Sequence, residues 1–174
     1  MAKRLMPRFL TKEMAQKVVP DMVNLSRDIF RKEFGQSEGC HVVILVPSVE
    51  DVRTTGYPDY PNYPIEPGML YERSFGDKKQ WSHPFAEIAK CKALQLWRGQ
   101  NVDGNMNCQA HLLFSDDTPF WGGVKRQGIV IACSGFKPYW DQMISGMIAD
   151  ALIALARHAY ETSEDKAEDR NFLT

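Results

Sequence analysis

Apolar residues recur at intervals of three and four along the first part of the chain, the spacing typical of an amphipathic helix. This pattern predicts a first helix from Thr11 to Phe34, with Thr11 as the N-cap and Gly35 just past the end. Pro20 interrupts the pattern and is expected to kink the helix. The predicted buried stripe consists of Met14, Val18, Met22, Leu25 and Ile29.

Two further stretches have the same helical period. Ser-His-Pro at 82–84 predicts a second helix with Ser82 as the N-cap and Pro84 in the first turn, ending near Gly99. Asp141 is predicted to cap the last helix. The apolar stripes are Phe85, Ile88, Ala89, Ala93 and Leu96 in the second helix, and Ile144, Ile148, Ala151, Leu152 and Leu155 in the last.

Four shorter stretches are predicted to form strands, and the clearest is His41–Val46, which is continuous, apolar and rich in β-branched residues. They are His41–Val46, Met69–Phe75, Gln109–Phe114 and Gly128–Cys133. The order of helix, strands, helix, strands and helix predicts an α+β domain with a mainly antiparallel sheet and helices packed on it.

Two segments show neither the helical spacing nor the apolar run of a strand. Gly56–Pro67 (GYPDYPNYPIEP) repeats tyrosine-proline three times, which predicts an extended loop. Its tyrosines need a surface to lie against, either on this domain or on a partner subunit; a ligand lid is the alternative. Residues Thr162–Thr174 are charged and aperiodic and are predicted to form a mobile tail.

Composition narrows the class of protein. A chain of 174 residues that is 44% hydrophobic predicts a single domain over 1–174 with a substantial core. The net charge of −1 gives no overall attraction to nucleic acid or to an anionic membrane. No run of 18 apolar residues and no signal peptide are visible, so a cytoplasmic location is expected. The four cysteines show no zinc spacing, and no metal site is predicted.

Candidate chemistry centres on two pairs that contain glycine. Gly122-Gly123 follows Phe120 and Trp121, and Ser134-Gly135 ends an apolar run. Glycine tolerates positive φ and close backbone approach, so the two pairs predict a pocket edge with backbone donors beside flat aromatic faces. The alternative is a position in the protein core or at an interface, where large aromatic residues are more often found.

His83 and Asp141 are the side chains that the sequence singles out. At the start of a helix, His83 would lie beside amide groups that favour anions, and it is the best candidate for a ligand contact. A solvated surface histidine is the alternative interpretation. For Asp141, N-capping competes with a functional role near Ser134-Gly135.

Four sequence segments resemble the GlcG/HbpS-like family, whose domain also forms the C-terminus of PduO-type proteins. They are LTKEMAQKVV at Leu10–Val19, FAEIAKCKALQLW at Phe85–Trp97, PFWGGV at 119–124, and IVIACSG at 129–135 with the helix that follows. Gly122, Gly123 and Val124 match the family's Gly-Gly-Val, Ser134 and Gly135 match its Ser-Gly, and Asp141 matches an acidic residue that opens the last helix. The chain departs from the family in a long insertion at Pro47–Pro67 and in a shortened hairpin, VKRQG.

The resemblance implies a profilin-like α+β fold with long N- and C-terminal helices on the sheet, homo-oligomeric assembly, and in some members binding of haem or a related tetrapyrrole. The leading hypothesis is therefore a small-molecule-binding module of a soluble oligomer, with haem or a corrinoid as possible ligands. One alternative is an enzyme acting on a small carboxylate metabolite, with His83 and Asp141 as acid–base groups. Another is a structural or accessory subunit in which the tyrosine-proline segment binds a partner.

Overall fold

The computed structural model describes residues 4–35, 39–50, 64–101 and 109–173. Its five strands are β1 (Arg4–Leu5), β2 (Gly39–Glu50), β3 (Glu66–Gly76), β4 (Gly123–Arg126) and β5 (Ile129–Ser134). Its five helices are α1 (Lys12–Ile29), α2 (Arg31–Phe34), α3 (Phe85–Trp97), α4 (Pro138–Glu161) and α5 (Glu164–Ala167). Short 3₁₀ turns occur at Lys78–Gln80 and Ala110–Leu112.

The longest strand, β2, lies at the centre of an antiparallel sheet. It pairs with β3 and with β5, and β4 continues the sheet beyond β5. His41 on β2 is paired with Ser74 on β3 and with Ser134 on β5. The short β1 pairs with the last two residues of β2.

Helices cover both faces of this sheet because successive residues of a strand point to opposite sides. On one face Val42, Ile44 and Val46 pack in the core formed with α1 and α4. On the other face Val43 and Leu45 pack against α3. Every residue of β2 from Gly39 to Val46 is buried, as expected for a strand covered on both sides. The predicted α+β class, with an antiparallel sheet and long first and last helices packed on it, is confirmed.

The helix boundaries differ from those predicted. The first predicted helix is confirmed at its start, where the Thr11 hydroxyl accepts a hydrogen bond from the Met14 amide at 3.3 Å, but it breaks at Phe30 into α1 and α2. Ser82 is not the N-cap of α3, and His83 lies before the helix rather than in its first turn. The reason is Pro84, which biases the residue before it away from helical dihedrals.

Asp141 does not cap the last helix. Pro138 is the first residue of α4 and Lys137 its N-cap, so Asp141 lies within the helix and faces the interior. Proline is favoured at this first position because its φ is already helical and its missing amide hydrogen would have no helical partner. The helix therefore begins three residues before Asp141, the predicted N-cap.

The strand predicted at Gln109–Phe114 is wrong. Ala110–Leu112 form a 3₁₀ turn with exposed side chains, and the fourth strand beside β5 is β4 instead. A short apolar run does not by itself distinguish a strand from another structure. Gly123–Arg126 is a strand because it pairs with β5 across a tight turn.

Two segments that the sequence predicts to be irregular each contribute to a regular element. Residues 56–63 of the tyrosine-proline segment lie outside the described residues, and its last two residues, Glu66 and Pro67, are in β3. Within the predicted tail, α5 places the buried Asp165 carboxylate between Arg8 and Arg170. This arrangement joins the residues after α4 to the segment that leads into α1.

Candidate functional site

Helix α3 fixes the loop that carries the predicted aromatic residues. The buried Gln95 side chain donates to the Thr118 carbonyl at 3.0 Å and accepts from the Thr118 amide at 3.1 Å. Paired bonds to both backbone groups of one residue leave the loop little freedom. Phe120, two residues further on, is thereby held close to α3.

Phe120 and His83 are brought together at the start of α3. Their ring centroids lie 6.3 Å apart, and the His83 ring is also 6.3 Å from that of Phe85. Both His83 and Phe120 are exposed. Among the residues that the structure describes, none forms a hydrogen bond with the His83 imidazole, so both ring nitrogens are available to a ligand.

A surface cavity of about 440 Å³ adjoins His83. Its wall includes Lys78, Trp81, Ser82 and Glu87. The Trp81 indole N–H is buried and has no hydrogen-bond acceptor within the described ranges, while Lys78 Nζ lies 5.8 Å from the centroid of the same ring. An aromatic surface, an open imidazole and a lysine can together contact a flat, anionic molecule.

A second cluster lies buried at the end of β5. Lys92 Nζ of α3 is 2.9 Å from Asp141 Oδ2 of α4 and donates to the Cys133 carbonyl at 3.0 Å. Both charged side chains are only 2% exposed. The other Asp141 oxygen, Oδ1, accepts from the Phe136 amide at 3.1 Å. The ion pair therefore connects helices from the two faces of the sheet.

Burial raises the pKa of Asp141 from its ordinary value of 3.8 to about 6. Desolvation of the carboxylate is the largest effect, and the Lys92 ammonium and the Phe136 amide oppose it only in part. Among the described residues this carboxylate contacts protein groups, and it does not line the cavity beside His83. Asp141 is therefore a structural residue, the buried partner of Lys92.

The two glycine pairs are packed against backbone rather than open to a cleft. Gly122 has φ of 115°, and a Cβ there would meet the Pro138 carbonyl oxygen at 2.6 Å and Asp141 Cβ at 2.7 Å. Gly123 pairs with Ala132, so the Gly-Gly pair does lie beside the end of β5, as the sequence predicted. At Gly135, with φ of 150°, a Cβ would lie 2.3 Å from the Gly39 carbonyl oxygen. Close packing of α4 and β2 explains the glycines.

The structure thus divides the predicted site residues into separate groups. His83 and Phe120 meet at the surface; Gly122 and Asp141 meet in the interior. Ser134 is buried beside His41 on the central strand. Trp121 is half-buried, Gly123 lies within β4 and Gly135 within the turn after β5.

Sequence reasoning missed Lys92 and Gln95, the two polar residues that α3 buries. A signal was present, because Lys92 follows Ala89 by three positions and precedes Leu96 by four. It therefore lies on the apolar stripe, where an unpaired charge would be costly. That position predicts a buried acidic partner without identifying it.

Comparison with protein-family models, with curated proteins and with solved structures found no match to this chain. Within the described ranges no three histidine, cysteine, aspartate or glutamate side chains cluster as metal ligands. None of the described helices is both long and apolar enough to span a membrane.

Proposed function

We propose that the chain is a small-molecule-binding module whose ligand lies against His83 and Phe120 at the start of α3. The observation that carries this proposal is the open imidazole beside an aromatic ring and a cavity of about 440 Å³. Pockets of a few hundred cubic ångströms that combine aromatic walls with a few polar groups are typical of ligand sites.

Haem or a corrinoid is the ligand class that the resemblance suggests, and the residues present fit one side of such a group. The His83 imidazole would supply a nitrogen to its metal, the Phe120 ring a surface for the macrocycle, and Lys78 a cation for a carboxylate. When bound, the group would supply the redox or ligand-binding chemistry of its metal. The chain's part is to bind and orient it.

Titration with haem, followed by the Soret band, tests the proposal. His83→Ala should weaken haem binding by about 5- to 150-fold, the equivalent of about 1–3 kcal/mol for a lost polar contact. His111→Ala is the matched control, because His111 is also exposed but lies on the 3₁₀ turn outside this cavity. A parallel titration with small carboxylates covers the alternative ligand class. Equal affinities of the wild type and His83→Ala for every bound probe would refute the role of His83.

The proposed module acts as a homo-oligomer. Support comes from the sequence of the tyrosine-proline segment, which carries aromatic residues of the kind enriched at interfaces, and from its Ile65, which is 62% exposed.

A further inference from the structure

Three polar side chains form a hydrogen-bonded chain on the face of the sheet that α3 covers. Ser74 Oγ on β3 lies 2.8 Å from His41 Nδ1 on β2. His41 Nε2 lies 3.1 Å from Glu72 Oε2, also on β3. Ser74 and His41 are direct partners across the two strands, so the register of the sheet holds this pair in place. A hydroxyl, an imidazole and a carboxylate in this order are the components of an activated nucleophile.

The carboxylate determines which nitrogen of His41 carries the proton. Glu72 Oε2 also accepts a hydrogen bond from Lys90 Nζ at 2.9 Å. This contact lowers the pKa of Glu72, so the carboxylate is ionised at neutral pH. An ionised carboxylate only accepts hydrogen bonds, which assigns the imidazole proton to Nε2. Nδ1 is then an acceptor, and the Ser74 hydroxyl donates to it.

The imidazole is in the protonation state that a general base requires. His41 is 4% exposed, and burial lowers its pKa below the ordinary 6.5. Glu72 opposes this effect, while Lys90 and Lys78 add to it. The ring is therefore neutral at pH 7, with its free lone pair directed at the Ser74 hydroxyl.

The serine end of the chain is accessible. Ser74 is half-buried and Glu72 is exposed, whereas the base between them is enclosed. Trp81 Nε1 lies close to Gly39, which is two residues before His41 and on the same face of β2. This buried N–H has no acceptor among the described residues. Trp81 and Lys78 also line the cavity beside His83.

We propose that Ser74 is a nucleophile for esters of short carboxylic acids, with His41 as its general base and Glu72 as a positioning residue. Ser74 Oγ attacks the ester carbonyl carbon while its proton passes to His41 Nδ1. The bond to the alcohol oxygen breaks, and the alcohol leaves with that proton. Water then attacks the acyl-serine, giving one proton to His41; the carboxylic acid departs and Ser74 recovers its hydrogen. No redox partner is needed. The nucleophile does not depend on the His83 proposal.

A serine-directed fluorophosphonate and p-nitrophenyl acetate test the proposal on the full chain. We expect the fluorophosphonate adduct on Ser74, located by peptide mass spectrometry. Ser74→Ala should abolish that adduct, and His41→Gln should slow both labelling and ester hydrolysis by about 10²- to 10⁴-fold. Ser115→Ala is the matched control, because Ser115 is exposed and lies outside this cluster. It should leave both rates unchanged.

The pH profile separates the positioning role of Glu72 from a purely structural one. Hydrolysis should fall as pH drops through the pKa of His41. Glu72→Gln removes the group that raises this pKa, so the fall should move to lower pH as well as the rate decreasing. Absence of an adduct on Ser74 of the folded wild type, or hydrolysis by Ser74→Ala at the wild-type rate, would overturn the proposal. Labelling of the wild type is decisive even if a variant fails to fold.

Discussion

Replacing Lys92 by methionine removes one charge from the buried pair while keeping a long, apolar side chain of similar volume. Asp141 then keeps only uncharged partners, the Phe136 amide and the Cys133 thiol, in a position that is 2% exposed. The Cys133 carbonyl loses the ammonium donor as well. Removing one partner of a buried ion pair typically costs about 3–5 kcal/mol, because the remaining charge stays desolvated.

The stability lost in Lys92→Met should depend on pH, and the raised pKa of Asp141 determines the direction of that dependence. In the wild type, the pKa of Asp141 is raised from 3.8 to about 6, so its protonated form favours folding and this contribution is lost as pH rises through 6. The difference between the two pKa values corresponds to about 3 kcal/mol. In Lys92→Met the pKa should rise further, because the attraction of the ammonium is gone. The stability deficit of the variant is therefore smallest near pH 5 and grows up to pH 8.

Urea denaturation at pH 5 and pH 8 measures this deficit. Lys90→Met is the matched control: it lies two residues away on α3, its side chain is 48% exposed, and its surface contact with Glu72 should contribute no more than about 1 kcal/mol. Lys92→Met/Asp141→Asn should recover part of the loss at pH 8, since no unpaired carboxylate remains. The reasoning is refuted if Lys92→Met loses less than Lys90→Met at pH 8, or loses the same amount at both pH values.

Two further predictions concern packing and assembly. Gly122→Ala should lower the free energy of unfolding by more than the control Gly128→Ala. At Gly128 the added Cβ has no atom of the described residues within 4 Å, so this variant carries only the cost of positive φ, about 1–2 kcal/mol. Equal losses in urea titrations would contradict close packing at Gly122. Light scattering should give a homodimer or a larger assembly, and a monomer mass throughout the micromolar range would refute this.

Most of the fold could be predicted because residue type, hydrophobic pattern and packing favour the same structure in most segments. The His41–Val46 run is continuous and β-branched, and it forms the strand that is buried on both faces. The predicted stripe of the last helix lies on the core, where Ile144 and Ile148 pack with Val18 of the first helix. The predicted stripe of the first helix is wrong at its end, because Leu25 and Ile29 are exposed. The errors in helix starts fall where a single residue decides the boundary, as at Pro84 and Pro138, while the wrong strand at Gln109–Phe114 rested on a short apolar run.

The candidate sites could be predicted only in part, because long-range pairing determines them. His83 and Phe120 were singled out separately, but their contact depends on Gln95 fixing the Thr118 loop. Ser74 is 33 residues from His41, and only the strand register makes them partners. A register shifted by one residue would place Ser74 on the other face of the sheet.

The residues that carry the family resemblance and the residues that are open to a ligand are largely different groups. Gly122 packs on Asp141, which pairs with Lys92, so these motif positions form one buried unit that holds α3 and α4 on the sheet. His83, Ser74 and Phe120 lie outside that unit and are at least partly accessible. Substitutions within the buried unit should therefore lower stability together with any activity, whereas His83→Ala should change binding at nearly constant stability. Ser74→Ala should abolish reactivity while costing only its hydrogen bond to the buried His41, about 1–3 kcal/mol. Measuring unfolding and function on the same variants separates the two groups, because a motif residue that altered ligand affinity without altering stability would belong to the site after all.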